Sequence, residues 1–322
     1  MKLPAKEINK FNKIVNRSKT FFLTIHLNPD ADAVGSMLSI YSYLKKLKKR
    51  VYLYSHDKLP QNLSVLPYSE KIKNKITERK YDTAIFFECS TPDRAGSEVT
   101  KIEFKNKISI DHHRTAKRYA DLNILDFKSP STSEIIFRLF KQLNFKIDKN
   151  IAMLLYSGIV TDTGRFHYPQ TNDKTHLIVS ELLKHKFNFS KLNDNFFLKA
   201  TYQNIKLLGR ALENMEIFPG KVALMVLSQA DFKEFKAGFE HTESIVNYPM
   251  MIEDIKVSIL LKEDDEKYSV TFRSKGKIDV SKVASAFGGG GHKNASGFKI
   301  SKQKTDIKEL KKRILDEIEK YL

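Results

Sequence analysis

Two rhythms of apolar positions alternate along the first half of the chain. Short runs rich in Phe, Ile and Leu at residues 20–26, 81–88 and 107–111 predict buried strands. Apolar positions three and four apart predict amphipathic helices over residues 33–49, 131–143 and 150–161, after a basic amphipathic segment at 6–17. Strands alternating with helices are the pattern of an α/β domain, a mostly parallel sheet with helices on both faces. Each of the three strands runs straight into residues with chemical capacity, and in open sheets of this kind ligand crevices form at the carboxyl ends of the strands.

The pattern changes further on. From 172 to 212 it is helical and polar, a helix pair followed by a connector; beyond 216 it turns to strands at 221–227, 255–261 and 268–274, the last two separated by an acidic turn at 262–267. A glycine run at 288–291 leads to a terminal helix at 305–322. The expected division is a first domain over residues 1–187, a helical linker over 188–213 and a smaller α/β domain over 214–322.

Composition narrows the function classes. Lys and Arg number 56 against 38 Asp and Glu, a net charge of +18 that makes nucleotides and nucleic acid the first partners to test. Lysine is also spread over stretches without motifs, so part of the excess only solvates the surface. Cys89 is the single cysteine, which excludes internal disulfides and Cys-built zinc cages and fits a reducing compartment; the cytoplasm is the expected location. No apolar run approaches the roughly 18 residues that span a bilayer, and membrane insertion is not expected.

Four clusters carry chemistry. Residues 26–32 read His-Leu-Asn-Pro-Asp-Ala-Asp and gather one imidazole and two carboxylates on a tight, Pro-stiffened turn. Carboxylates so close repel unless a cation lies between them, and a divalent metal is the natural remedy. Taken singly, Asn28 and Asp32 read as helix caps and His26 as a core histidine. Glu88 ends an apolar strand, where a poorly solvated carboxylate needs a partner. Asp111, His112 and His113 close the third strand. In extended chain the two imidazoles point to opposite sides, so one can bind metal while the other faces substrate, with Asp111 orienting an imidazole through its non-ligating nitrogen. Asp162 ends a largely apolar helix just before Gly164, against the helix dipole, which favours a nearby cation.

Asp30, Asp32, Glu88 and Asp162 together carry charge enough for two divalent cations, with His26 and His112 as nitrogen ligands. Mixed nitrogen and oxygen ligation suits Mn²⁺, with Mg²⁺, Co²⁺ or Zn²⁺ compatible. Two such ions about 3.5–4 Å apart clamp a phosphorus centre for in-line attack, the arrangement of phosphoester hydrolysis.

The motifs at 26–32, Asp-His-His at 111–113 and Thr-Asp-Thr-Gly at 161–164, in that order, resemble the DHH phosphoesterase superfamily. Arg273-Ser274-Lys275 and the Gly-rich stretch from Phe287 to Gly297 resemble the DHH-associated C-terminal domain, so the likeness spans nearly the whole chain. It implies that residues 1–187 form the catalytic metal-binding domain and 214–322 the substrate-binding domain, with the active site in the cleft between them. It implies one metal on His26, Asp30 and Glu88 and a second on Asp32, Glu88, His112 and Asp162, with Glu88 bridging. His113, Asp111 and Arg273 are the implied catalytic groups. His113, Arg273, Ser274 and the loop Gly289, Gly290, Gly291 and His292 are implied to bind substrate phosphate and nucleotide. Glycine backbone N–H groups and an arginine fork are suited to holding an anion. Two positions depart from the common family pattern, Ala31 for glycine and Glu88 for aspartate. The first is minor; the second adds a methylene to the bridge, and Glu88 is expected to remain a ligand.

Among superfamily members of this size and layout are the NrnA-type enzymes and stand-alone cyclic di-AMP phosphodiesterases. That resemblance implies hydrolysis of short RNA oligonucleotides, linear pApA or cyclic di-AMP to mononucleotides such as AMP. Adenosine 3′,5′-bisphosphate phosphatase activity and a non-catalytic nucleotide sensor are the alternatives, and a homodimer is compatible with the resemblance.

Overall fold

Residues 2–322 are described in the computed structural model, and they fall into two units, residues 2–199 and Ala200–Leu322. The first contains α1 (Ala5–Arg17), β1 (Thr20–Ile25), α2 (Ala31–Lys46), β2 (Arg50–Tyr54), β3 (Lys80–Phe87), β4 (Glu103–Asp111) and β5 (Leu122–Leu125). It continues with α3 (Thr132–Gln142), α4 (Lys149–Asp162), α5 (Asp173–Leu183) and α6 (Phe189–Phe197). The strands pair in the order β2-β1-β3-β4-β5, every pair parallel.

Central parallel strands are buried on both faces and therefore read as continuous apolar runs. Phe21, Leu23, Ile25, Ile85, Phe87, Ile108 and Ile110 face a core shared with α1 to α4. Phe22, Tyr54, Tyr81 and Phe86 face the other way, under Ala95 and Val99 from the short 3-10 helices Pro92–Ala95 and Ser97–Lys101. On that second face the covering helices are thus single turns, packed over an aromatic cluster.

The strand order reverses between β1 and β3, the position where doubly wound sheets open a crevice at the carboxyl ends of their strands. Ile25 pairs with Phe87, so His26 and Glu88 leave neighbouring strands side by side. Close packing of α2 on α4 depends on Gly35, where an added Cβ would lie 2.5 Å from the Leu154 carbonyl oxygen.

The second unit contains α7 (Tyr202–Glu213), β6 (Glu216–Phe218), β7 (Val222–Leu227), α8 (Gln229–Glu234), β8 (Val257–Glu263) and β9 (Lys267–Ser274). It ends with α9 (Val280–Ala286), β10 (Gly290–His292), β11 (Ala295–Ser301) and α10 (Ile307–Glu319). The sheet order is β10-β11-β9-β8-β7-β6, with only β7 and β8 parallel. Ile259, Leu261, Val270, Phe272 and Phe298 pack with α9 and α10, while Met225 and Leu260 on the opposite face pack with Leu207 and Ala211 of α7.

Three features differ from the sequence expectation. The stretch 188–213 is helical, but each of its helices is packed into a unit: Leu192 of α6 lies in the first core and Leu207 of α7 in the second. The acidic turn shortens to residues 264–266 because Lys262 and Glu263 continue β8 and Lys267 begins β9. The glycine stretch Gly290–His292 is an edge strand paired with β11, where a loop was expected. Among the described residues no helix is long and apolar enough to cross a membrane.

Candidate metal centre

The cluster is built at the carboxyl ends of β1, β3 and β4 and closed by α2 and α4. His26 directly follows β1; its Nδ1 is 2.7 Å from the Leu27 carbonyl oxygen. A ring that donates Nδ1–H to a backbone carbonyl presents Nε2 as an unprotonated ligand, and Nε2 lies 3.4 Å from Asp30 Oδ2 and 3.8 Å from Glu88 Oε2. His112 repeats the arrangement. Its Nδ1 is 3.2 Å from the Ser129 carbonyl oxygen and its Nε2 2.9 Å from Asp162 Oδ2, although that last approach is poorly aligned for a hydrogen bond.

Asp30, rather than Asn28 or Asp32, is the N-cap of α2. Its Oδ1 accepts from the backbone N–H groups of Asp32 and Ala33, and its Oδ2 faces His26. Asp32 is fully buried, and its two oxygens accept from Thr132 N at 2.6 Å and Ser133 N at 2.9 Å, the first N–H groups of α3. A helix N-terminus favours an anion through these free donors and its dipole, and an ionised carboxylate retains further lone pairs for a cation. A Cβ on Gly158 of α4 would overlap Asp32 Oδ1 and Ser133 Oγ, so this glycine lets α4 approach the carboxylate.

Glu88 is the most constrained member. It is 3% exposed, has φ 56°, and continues the ladder by donating its N–H to the Ile110 carbonyl oxygen at 3.1 Å. A left-handed backbone is uncommon outside glycine and, where the fold enforces it, clusters at functional sites. Neither carboxylate oxygen has a hydrogen-bond partner among the described residues. Burial, and then Asp32, Asp30 and Asp162 around it, drive the Glu88 carboxyl well above the usual carboxylate range. Burial also lifts Asp162, which reaches about 6 despite the opposing pull of His112. Burial works against charge on His112, but the Asp162 and Asp32 carboxylates outweigh it and push the imidazole up to about 9. A pocket that crowds carboxylates and pulls protons toward itself is one whose charge a bound cation would balance.

Ligand-capable atoms of His26, Asp30 and Glu88 lie within 4.8 Å of one another, as do those of Asp32, His112 and Asp162, and those of Glu88, His112 and His113. All six residues expected to ligate therefore converge, with Glu88 shared between groups, and the donor set fits divalent cations. The two adjacent imidazoles do not point to opposite sides. The chain leaves β4 at Asp111, and the His112 and His113 rings lie 4.4 Å apart. Asp111 is fully buried, and its Oδ1 accepts both the backbone N–H of His113, at 2.8 Å, and its Nδ1, at 2.9 Å. His113 is thereby fixed with Nε2 free and half its side chain exposed.

Sequence reasoning missed the anchoring of Asp32 by Thr132 and Ser133 and the clearance at Gly158. The Ser131-x-x-Glu134 pattern announces a helix start, and Ser131 Oγ does accept from Glu134 N; nothing in the sequence pairs that start with Asp32. In the second unit, Arg273 sits on β9 and Gly289 to His292 run into β10. A Cβ on Gly289 would overlap the Gly297 carbonyl and Phe298, which accounts for glycine at that close approach. Ser274 Oγ donates to the Ile278 carbonyl and accepts from Asn294 Nδ2, so this hydroxyl ties the adjoining turn.

Residues 20–159 match the DHH family, N-terminal domain, and residues 221–322 match the DHHA1 domain. The chain is 33% identical over 302 residues to a probable bifunctional oligoribonuclease and PAP phosphatase NrnA of Streptococcus mutans, covering 91% of this chain and 94% of that one. It is 28% identical over 285 residues to the bifunctional oligoribonuclease and PAP phosphatase NrnA of Bacillus subtilis, covering 87% and 89%. It also resembles the crystal structure of an exopolyphosphatase-related protein from Bacteroides fragilis, with a TM-score of 0.87 and 27% identity over 99% of this chain and 97% of that one. The clustered carboxylates and imidazoles, the two matched domains and this likeness over nearly full length have one conclusion: the chain belongs to the DHH family.

Proposed function

We propose that this chain is a manganese-dependent phosphoesterase that hydrolyses short oligoribonucleotides to mononucleotides and takes adenosine 3′,5′-bisphosphate as a second substrate. One observation carries the reading: the buried Glu88 carboxylate, without a hydrogen-bond partner, lies within 4.8 Å of ligand-capable atoms of His26 and, in a second group, of His112, with three further carboxylates around it. His26, Asp30 and Glu88 would hold one ion, and Asp32, Glu88, His112 and Asp162 a second. Bound there, divalent cations supply Lewis-acid polarisation and charge neutralisation for attack of water at phosphorus.

The chain's own residues do the positioning. The Leu27 and Ser129 carbonyls fix the tautomers of His26 and His112. Asp111 holds the His113 ring so that its exposed Nε2 meets a phosphate oxygen or the leaving group. Arg273 and the glycine strand of the second unit supply anion-binding groups for the nucleotide. The substrate choice follows the relatives' names, and the excess of positive charge suits short polyanions. A cytoplasmic setting suits the single, buried free thiol Cys89.

The test is a side-by-side rate comparison on linear pApA, a pentanucleotide RNA, cyclic di-AMP and adenosine 3′,5′-bisphosphate, with Mn²⁺ and with chelator. Turnover of pApA and the bisphosphate that chelation abolishes is the expected result. Tight nucleotide binding with no turnover over hours would make the chain a sensor.

A further inference from the structure

The imidazoles of His26 and His112 are each held from behind by a backbone carbonyl, His26 by Leu27 at 2.7 Å and His112 by Ser129 at 3.2 Å. The peptide groups that own those carbonyls differ. The Leu27 carbonyl belongs to the Leu27–Asn28 peptide, whose N–H points the opposite way, as a planar trans unit requires, and donates to Asp57 Oδ2 at 2.8 Å. The Ser129 carbonyl belongs to the Ser129–Pro130 peptide, which has no N–H to donate. Of the two histidines, only His26 therefore has a carboxylate at the far end of its chain of hydrogen bonds.

Asp57 lies in the loop after β2, and that loop is braced independently of the metal turn. The Asp57 carbonyl oxygen accepts from Ser55 Oγ at 2.7 Å and from Asn74 Nδ2 at 2.8 Å. Asn74 Nδ2 also reaches the Ser55 carbonyl at 2.9 Å, and the Ser55 N–H donates to the Lys73 carbonyl at 3.0 Å. On the other side of the turn, the Leu27 N–H donates to the Arg94 carbonyl at 2.7 Å. Asn28 has φ 56°, a conformation asparagine tolerates better than most residues, and Pro29 has no N–H. Both N–H groups between His26 and Pro29 are thus spent on neighbours outside the turn, which sets the plane of the Leu27–Asn28 peptide.

A peptide that donates at its nitrogen while accepting at its oxygen is polarised along both bonds, so each strengthens the other, and a hydrogen bond to an ionised acceptor is roughly twice as strong as a neutral one. A carboxylate that receives a ligating histidine's second N–H orients the ring and raises its basicity toward the metal. Here one peptide group stands between the carboxylate and the ring.

We propose that Asp57 is a positioning residue that acts on His26 through the Leu27–Asn28 peptide and tightens cation binding at the His26 half of the centre. The inference rests on the reading of His26 as a ligand in a two-cation phosphoesterase, and it adds an inequality between the two ions. Loss of the Asp57 carboxylate weakens the ion on His26 and spares the one on His112.

The experiment counts Mn²⁺ bound to the chelator-stripped full chain by electron paramagnetic resonance of the free ion. Wild type is compared with Asp57→Asn and Asp57→Ala, and with Asp93→Asn on the neighbouring 3-10 helix as the control for a lost surface charge. The expected result is two ions per wild-type chain, one of them bound at least ten-fold more weakly in Asp57→Ala, the scale typical of partners behind a ligating histidine, with the other ion and the control unchanged. Asp57→Asn keeps an acceptor for the Asn28 N–H without the charge. It is expected to weaken the same ion by less, and it carries the test alone if the alanine variant does not fold. In a His26→Ala background, Asp57→Ala is expected to add no further loss, a coupling that general loosening of the fold would not produce. Equal weakening of both ions, no weakening of either, or an additive loss in the His26→Ala background overturns the proposal. A wild type that binds fewer than two ions would instead remove the two-cation reading, and the role of Asp57 with it.

Discussion

Asp32 accepts the Thr132 N–H at 2.6 Å across 100 residues of sequence, so the first turns of α2 and α3 meet over a fully buried carboxylate. The contact has two effects. It offsets the cost of burying a charge by giving it two backbone donors at a helix N-terminus, and it fixes the carboxylate before any cation arrives. Geometry near His112 and Asp162 is therefore set by helix packing, and small packing errors reach the chemistry.

Gly158→Ala tests this coupling. The new methyl group would overlap Asp32 Oδ1 and Ser133 Oγ and lie 2.9 Å from Asp32 Cα. Overpacking of this kind costs about 1–3 kcal/mol, and displacement of Asp32 is expected to lower kcat at least ten-fold. Gly209→Ala on α7, where an added Cβ meets nothing within 4 Å, is the contrast. It is expected to keep or raise stability, by up to about 1 kcal/mol. Equal urea midpoints and rates for the two variants would show that Gly158 is not needed for clearance.

Glu88→Gln separates metal binding from folding. The amide keeps the volume but removes a charge that has only carboxylates and imidazoles around it. Metal content by elemental analysis is expected to fall, and kcat to drop at least about 100-fold, the scale of losing a group that organises transition-state charge. The chelated variant is expected to melt at the same temperature as chelated wild type or higher, because keeping the buried Glu88 carboxyl protonated near neutral pH costs stability that the amide does not. Normal metal content together with a normal rate would end the assignment of Glu88 as a ligand.

Asp111→Asn addresses the ring that the metals are not expected to hold. Asp111 Oδ1 receives two donors from His113, one from the backbone and one from the ring. Partners that orient a working histidine from behind typically matter 10–100-fold. A loss of about that size in kcat, with metal content preserved, is the expected outcome. Loss of metal along with rate would place His113 among the ligands, as its proximity to Glu88 and His112 allows.

Much of the centre was legible because its residues cap the most apolar strands. Buried parallel strands announce themselves, and a charged residue after Phe87 or Ile110 stands out against them. The edge strands β2 and β5 gave no comparable signal: β2 starts with the exposed Arg50, and β5 is four residues long. The positions of His112 and His113 were misjudged because strand alternation was carried past the end of β4. Asp32 misled for another reason. Its helix donors belong to α3, a partner that only tertiary packing supplies, while the cap of its own helix falls to Asp30.

Glu134 gives the chain a pH dependence independent of the metal residues. It lies in the first turn of α3, 3% exposed, and burial pushes its carboxyl up to about 7 against the opposing influence of Arg138 and Thr175. The folded-state value exceeds the unfolded one, about 4.3, so between them the native state holds the extra proton. Its contribution to stability is fully present below about pH 4 and is lost as the pH rises through 7. Glu134→Gln cannot ionise. Relative to wild type it is expected to gain about 1–3 kcal/mol between pH 5 and pH 8, measured by urea unfolding of chelated protein at both values. A stability difference that stays constant between the two pH values would show that Glu134 ionises in the folded protein as it does in the unfolded chain.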